Sequence, residues 1–114
     1  MKYSVSLKLN HIFRRLYGTT GYANGYLVLY ARRNRLATNR VGVTVGKKLG
    51  HAVVRNRVRR RLREIYRLHE AQFLPGWDVV VVARSRCIGA SFGKLTDAYL
   101  AAAEKAGILR PEER

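Results

Sequence analysis

Four consecutive valines at 79–82 constrain this chain more than any other stretch. A strand turns alternate side chains to opposite faces, so a run with no polar alternate offers neither face to water. The segment 77–84, WDVVVVAR, is therefore predicted as a strand buried on both faces, inside a sheet that helices must cover. Two helical segments flank it. Between 52 and 70, Val54, Val58, Leu62, Ile65 and Leu68 recur every three or four positions. Between 91 and 107, Leu95, Ala98, Tyr99, Ala102 and Ala103 form an apolar stripe, with Ser91 placed to cap the start and Gly107 to stop the end.

The first half is more broken. Residues 10–17, NHIFRRLY, predict a short helix capped by Asn10, with Ile12, Phe13, Leu16 and Tyr17 at helical spacing. The stretch 18–25, GTTGYANG, is rich in turn formers, and 26–32, YLVLYAR, in strand formers. Arg33-Asn34-Arg35 suits a hairpin turn. Residues 40–46, RVGVTVG, alternate as a strand with Val41, Val43 and Val45 on one face; 47–50, KKLG, is a basic loop, and Pro75-Gly76 a turn. The order is helix, two or three strands, helix, strand, helix, which makes the fold α+β. The 114 residues carry no repeat, linker or low-complexity tract, so 1–114 is expected to be one domain.

Charge decides the class of partner. There are 23 Lys+Arg against 7 Asp+Glu, a formal net charge of +16. Such an excess repels itself in the compact state, and a polyanion is the simplest compensation. Arg far outnumbers Lys, and its planar fork suits phosphate and base edges, which favours nucleic acid over lipid. No apolar run is long enough to span a bilayer, and residues 1–10 lack a signal-peptide core, so a cytoplasmic location without membrane contact is expected. A single cysteine, Cys87, excludes an internal disulfide.

The basic residues concentrate on the central helix. Arg55, Arg57, Arg59, Arg60, Arg61, Arg63 and Arg67 share it with one acid, Glu64. Like charges three and four residues apart destabilise a helix by tenths of a kcal/mol per pair, and a merely solvated face would mix signs. With Val54, Val58, Leu62 and Ile65 inward, Asn56, Arg59, Arg60, Arg63 and Arg67 cluster elsewhere, and Arg57 and Arg61 sit on a flank. Asn56 can accept as well as donate, though the spacing alone equally suits a helix cap or an ordinary surface amide. Phe13, Tyr17, Tyr22, Tyr26 and Tyr30 are available to stack bases, although core packing is the commoner fate of an aromatic taken singly. The acids show no catalytic pairing, His11, His51 and His69 no metal spacing, and no phosphate-binding glycine loop occurs.

The run VGVTVGKKLGHAVVRNRVRRRLREIYR resembles the signature of the protein subunit of bacterial ribonuclease P. That signature is a strand, a Lys-Lys-x-Gly loop, and Ala-Val-x-Arg-Asn-Arg-x-basic-Arg leading into a helix. Lys47, Lys48 and Gly50 match the loop; Ala52, Val53, Arg55, Asn56, Arg57, Arg59, Arg60 and Arg63 match the helix. Gly46, His51 and Tyr17 depart from the Ser, Asn and Phe common at those places. The resemblance implies an α/β sandwich like a ribosomal-protein domain, with a sheet of about four strands and an unusual left-handed βαβ crossover. It also implies an accessory subunit of an RNA-based endoribonuclease that removes the 5′ leader of precursor tRNA. The RNA would carry the Mg2+-dependent chemistry, with no catalytic residue, metal or cofactor on the protein. Phe13, Tyr17, Tyr30, Asn56, Arg59 and Arg63 would meet the leader, and Lys47, Lys48, Arg55, Arg57, Arg60, Arg61 and Arg67 the catalytic RNA. One monomer per catalytic RNA is expected. From the residues alone, a general RNA-binding or ribosomal protein and a DNA-binding regulator stay open; no helix-turn-helix is apparent for the latter.

Overall fold

The computed structural model describes residues 4–6 and 10–111, the side chains of 4–6 and 10–13 excepted. Five strands, β1 (Ser4–Ser6), β2 (Gly21–Ala23), β3 (Leu27–Arg33), β4 (Asn39–Thr44) and β5 (Trp77–Ala83), form one mixed sheet in the order β1-β4-β5-β3-β2. Three helices, α1 (Asn10–Tyr17), α2 (Ala52–His69) and α3 (Phe92–Lys105), complete the α+β domain. The valine strand β5 is central, parallel to β4 on one side and antiparallel to β3 on the other.

Its alternation divides the core. Val79 and Val81 join Leu27, Leu29 and Val41 of the sheet, Val58, Leu62, Ile65 and Tyr66 of α2, and Leu95 and Tyr99 of α3. Val80 faces the other way, onto Leu16 of α1, with Tyr30 and Val82 partly buried against that pair. Thus α1 covers one face of the sheet, and α2 and α3 the other, which is why the run has no polar alternate.

Two short edge strands raise the strand count to five. β2 lies within the turn-rich 18–25, antiparallel to β3. Gly21 is opposite Tyr30, and a Cβ there would lie 2.8 Å from the Tyr30 ring, so the ring occupies space that only glycine leaves. β1 pairs in parallel with β4.

Adjacent parallel strands β4 and β5 are joined through α2, the βαβ unit that the resemblance implied. Two buried polar residues fasten it. Asn39 donates to the Tyr66 hydroxyl (3.1 Å) and the Leu74 carbonyl (3.0 Å), and accepts from the Trp77 N–H (2.8 Å). Asp78 takes a two-pronged contact from Arg40, 2.7 Å on each oxygen. Ser91 caps α3 by accepting from the Lys94 N–H, and Gly107 ends it at φ +76. There Ile108 and Gly107 donate to the Ala103 and Glu104 carbonyls, the closing pair of a Schellman motif.

One expected core position is corrected. Leu68 is 56% exposed. The inward face runs Val58, Leu62, Ile65, Tyr66, and at 3.6 residues per turn Leu68 falls off its edge, with Tyr66 taking the inward place.

Candidate nucleic-acid interface

Val58, Leu62, Ile65 and Tyr66 bury one face of α2, and the arginines occupy the rest. Asn56, Arg57, Arg60, Arg63 and Arg67 are exposed; Arg55, Arg59 and Arg61 are half-buried. Asn56 stands inside α2, so it is no helix cap; that place belongs to His51, whose side chain makes no capping bond. Instead Asn56 Oδ1 accepts from Arg59 Nη1 at 2.8 Å, which joins these two residues into one polar unit. Arg67 grips Glu64 with two donors, Nε at 2.9 Å among them. That hydrogen bond holds the Glu64 carboxyl below its ordinary range and raises the Arg67 guanidinium in turn. Arg67 is therefore the one arginine of α2 with an acidic partner among the described residues.

The first turn of α2 contains no acid, so the positive end of the helix dipole meets further positive charge. Lys47 and Lys48 extend the patch. Both are exposed on the short 3-10 turn Lys47–Leu49 that leads into α2, anchored by the half-buried Leu49. The Nε of Arg55 is buried with no hydrogen-bond partner. Phosphate oxygens are the acceptors that the exposed cations of this patch, Arg57, Arg60, Arg63, Lys47 and Lys48, fit.

The aromatic residues lie on the other face of the sheet. Tyr17 and Tyr30 meet edge-to-face with ring centroids 5.2 Å apart, and the Tyr17 hydroxyl shares a 3.1 Å hydrogen bond with Thr44 Oγ1. Tyr17 is 43% exposed above the partly buried Tyr30 and Val82. This gives an apolar floor with a hydroxyl rim, suited to a flat aromatic ligand. Phe13 belongs to α1, but its side chain lies outside the described residues. Tyr22, Tyr26 and Trp77 pack against the main core. Of the residues assigned by resemblance to the leader, the structure brings Tyr17 to Tyr30 and Asn56 to Arg59, and it separates the two pairs onto elements covering opposite faces of the sheet.

A third basic feature was absent from the residues singled out in the sequence. Arg15, Arg32, Arg33, Arg35 and Arg40 line a cavity of about 730 Å³ beside Leu16, with Asn34 and Asp78. The run Arg32-Arg33-Asn34-Arg35 is its signal in the sequence; read as a turn, it reveals nothing of the arginines that converge on it from α1 and β4. Among the described residues, no three His, Cys, Asp or Glu side chains are grouped to hold a metal, and no helix is long and apolar enough to cross a membrane.

The sequence matches the ribonuclease P family profile over residues 1–107. The chain belongs to the ribonuclease P family. It is 41% identical over 112 residues to the ribonuclease P protein component of Natranaerobius thermophilus, covering 96% of each chain. The corresponding protein of Lachnoclostridium phytofermentans is 38% identical over 111 residues, again covering 96% of each. Among solved structures, the ribonuclease P protein of Staphylococcus aureus superposes with a TM-score of 0.83 at 28% identity, covering 92% of this chain and 97% of that one. That of Thermotoga maritima gives 0.80 at 27%, covering 88% and 96%.

Proposed function

We propose that this chain is the protein subunit of ribonuclease P and assists a catalytic RNA in cutting the 5′ leader from precursor tRNA. The observation that carries the reading is α2. It buries one apolar face and turns arginines over the remainder, with a single neutralising acid. Arg55, Arg57, Arg60, Arg61 and Arg67, with Lys47 and Lys48 on the preceding turn, dock on the catalytic RNA. The leader uses the Tyr17–Tyr30 floor and Phe13 for stacking, and the Asn56–Arg59 unit and Arg63 for its phosphates and base edges. Because the aromatic and polar groups lie on opposite sides of the sheet, the leader passes over a sheet edge or end to meet both.

The endonucleolytic chemistry and its Mg2+ belong to the RNA. On this reading the protein takes no catalytic step. The protein acts as a monomer in the cytoplasm, one per catalytic RNA, and supplies cationic surface and strand alignment. The test is reconstitution with a catalytic RNA at low magnesium, on precursor tRNA with and without its leader. The protein is expected to lower the magnesium requirement and to favour the leader-bearing substrate. If it does neither, the reading is wrong.

A further inference from the structure

The arginine cavity lies on the α1 face, and no residue of α2 lines it. Across the sheet, Arg40 of β4, Asp78 of β5 and Arg32 of β3 stand in one row. The adjacent row on the same face is Gly42, Val80 and Tyr30. The two rows are two residues apart along each strand, about 7 Å. Arg15 reaches the cavity from α1, one residue before Leu16, and Arg35 from the β3–β4 turn.

Arg15, Arg32 and Arg35 are exposed, and three features set the cavity they line apart from an ordinary charged face. First, the one carboxylate present is already paired: Asp78 is held by Arg40 at 2.7 Å on each oxygen and by Asn34 Nδ2 at 3.0 Å, so it cancels the charge of Arg40 and leaves that of Arg15, Arg32 and Arg35. Second, Arg15, Arg32 and Arg35 take part in neither of the two ion pairs found among the described residues. Third, Arg35 sits at φ +62, the only non-glycine residue described with positive φ. Asn34 holds that turn by accepting from the Leu36 N–H (2.7 Å) and donating to the Thr38 carbonyl (3.1 Å). Glycine would suit such a backbone, yet the place is filled by a long cation.

We propose that Arg15, Arg32 and Arg35, on the Arg40–Asp78 base, form a second phosphate-binding pocket. It takes the backbone phosphates of single-stranded RNA lying on the α1 face, next to the bases stacked on Tyr17 and Tyr30. The proposal rests on the reading of those tyrosines as a strand-binding floor. Arg33 serves it less directly, its guanidinium lying 5.6 Å from the Trp77 ring centroid.

The test follows a short labelled uridine oligonucleotide binding to the full chain by fluorescence anisotropy, from about 50 to 200 mM salt. Each phosphate contact on a single strand contributes about 0.7 to the slope of log affinity against log salt, so R32Q/R35Q is expected to flatten the slope by about 1.4. Arg35→Gly is expected to flatten it by about 0.7 while holding or raising the thermal midpoint, which separates lost contact from lost fold. Tyr17→Ala should weaken binding and leave the slope unchanged. A wild-type slope in R32Q/R35Q, with Tyr17→Ala still weakening, overturns the pocket and spares the tyrosine floor. The reverse pattern keeps the pocket as a phosphate site and overturns the floor. Inorganic pyrophosphate is titrated in parallel. If it binds the wild type but not R32Q/R35Q, while their RNA slopes agree, the pocket serves a free oligophosphate and the RNA assignment fails.

Discussion

Replacing Leu16 with alanine tests the claim that one sheet carries two differently dedicated faces. Leu16 is fully buried and, with Val80, forms a core of its own apart from the main cluster. The substitution removes about three methylene equivalents from burial, or about 2.4 kcal/mol at ~0.8 kcal/mol each. A rigid cavity would add to this, as in fully enclosed cores where Leu→Ala reaches ~5 kcal/mol. Here α1 has eight residues and can shift toward the sheet or detach from it, so the loss is expected near 2–3 kcal/mol. Leu62→Ala, enclosed by α2, α3 and the sheet, should cost more. Urea denaturation measures both, and amide hydrogen exchange should show protection lost in α1 while α2 and α3 keep theirs. The functional consequence is selective: affinity for a single-stranded oligonucleotide should fall, and binding to the catalytic RNA through α2 should hold. If Leu16→Ala loses the expected stability but binds the oligonucleotide as the wild type does, α1 is only a cover for the sheet and the strand lies elsewhere.

Further expectations concern individual groups. Glu64→Gln frees Arg67 for phosphate and should steepen the salt dependence of RNA binding by about 0.7–0.9 in slope. Since the Glu64 carboxyl is held below its ordinary range, its contribution to folding is present above that range and is lost as pH falls through the depressed value; an acid titration of wild type against variant reads it. The Tyr99 hydroxyl is buried without a hydrogen-bond partner and its pKa is pushed far up by burial, so Tyr99→Phe should gain about 1–2 kcal/mol in urea denaturation; a loss would reveal a bound acceptor. Burial also raises the Cys87 thiol. The folded state therefore favours the neutral thiol, and stability should be level below pH ~8.5 and fall as pH rises above it, more in the wild type than in Cys87→Ala. The same burial should make Cys87 slow to alkylate until the chain unfolds.

The parts of the fold that follow from periodicity were legible in the sequence. Valines at 79–82 leave no polar alternate, and β5 is central; Ser91 and Gly107 bracket α3 as cap and stop. The losses have physical causes. β2 hides in a stretch of turn formers because its three residues are held by pairing with β3 and by the Tyr30 ring over Gly21, and not by any strand propensity of their own. Leu68 continues the apolar spacing of α2 but lies at the edge of its buried face, where counting by three and four cannot tell inside from outside. At the candidate site, the basic character of α2 was legible because like charges on one helix need no tertiary information. The cavity of Arg15, Arg32, Arg35 and Arg40 was not, because α1, β3, the β3–β4 turn and β4 each contribute only one or two arginines, and only the fold gathers them around Asp78 of β5.

That difference bears on how a chain with a net charge of +16 stays folded. On α2 the like charges lie along one helix, and the burial of Val58, Leu62, Ile65 and Tyr66 offsets their repulsion. On the opposite face the repulsion is tertiary, between strands and α1, and the offsetting device is different: one buried carboxylate, Asp78, placed where β3, β4 and β5 adjoin, ties Arg40 and the Asn34 turn together. Asp78 thus organises the arginines around it while neutralising only one of them. Removing that carboxylate would leave Arg40 without its partner and release the Asn34 turn, so the cavity's geometry and the local stability should fail together. Removing Arg32 or Arg35 instead relieves repulsion and leaves the scaffold standing. If Arg32→Gln and Arg35→Gln each keep the wild-type urea midpoint while Asp78→Asn loses it, the charge of this surface is kept for a partner and not for the fold.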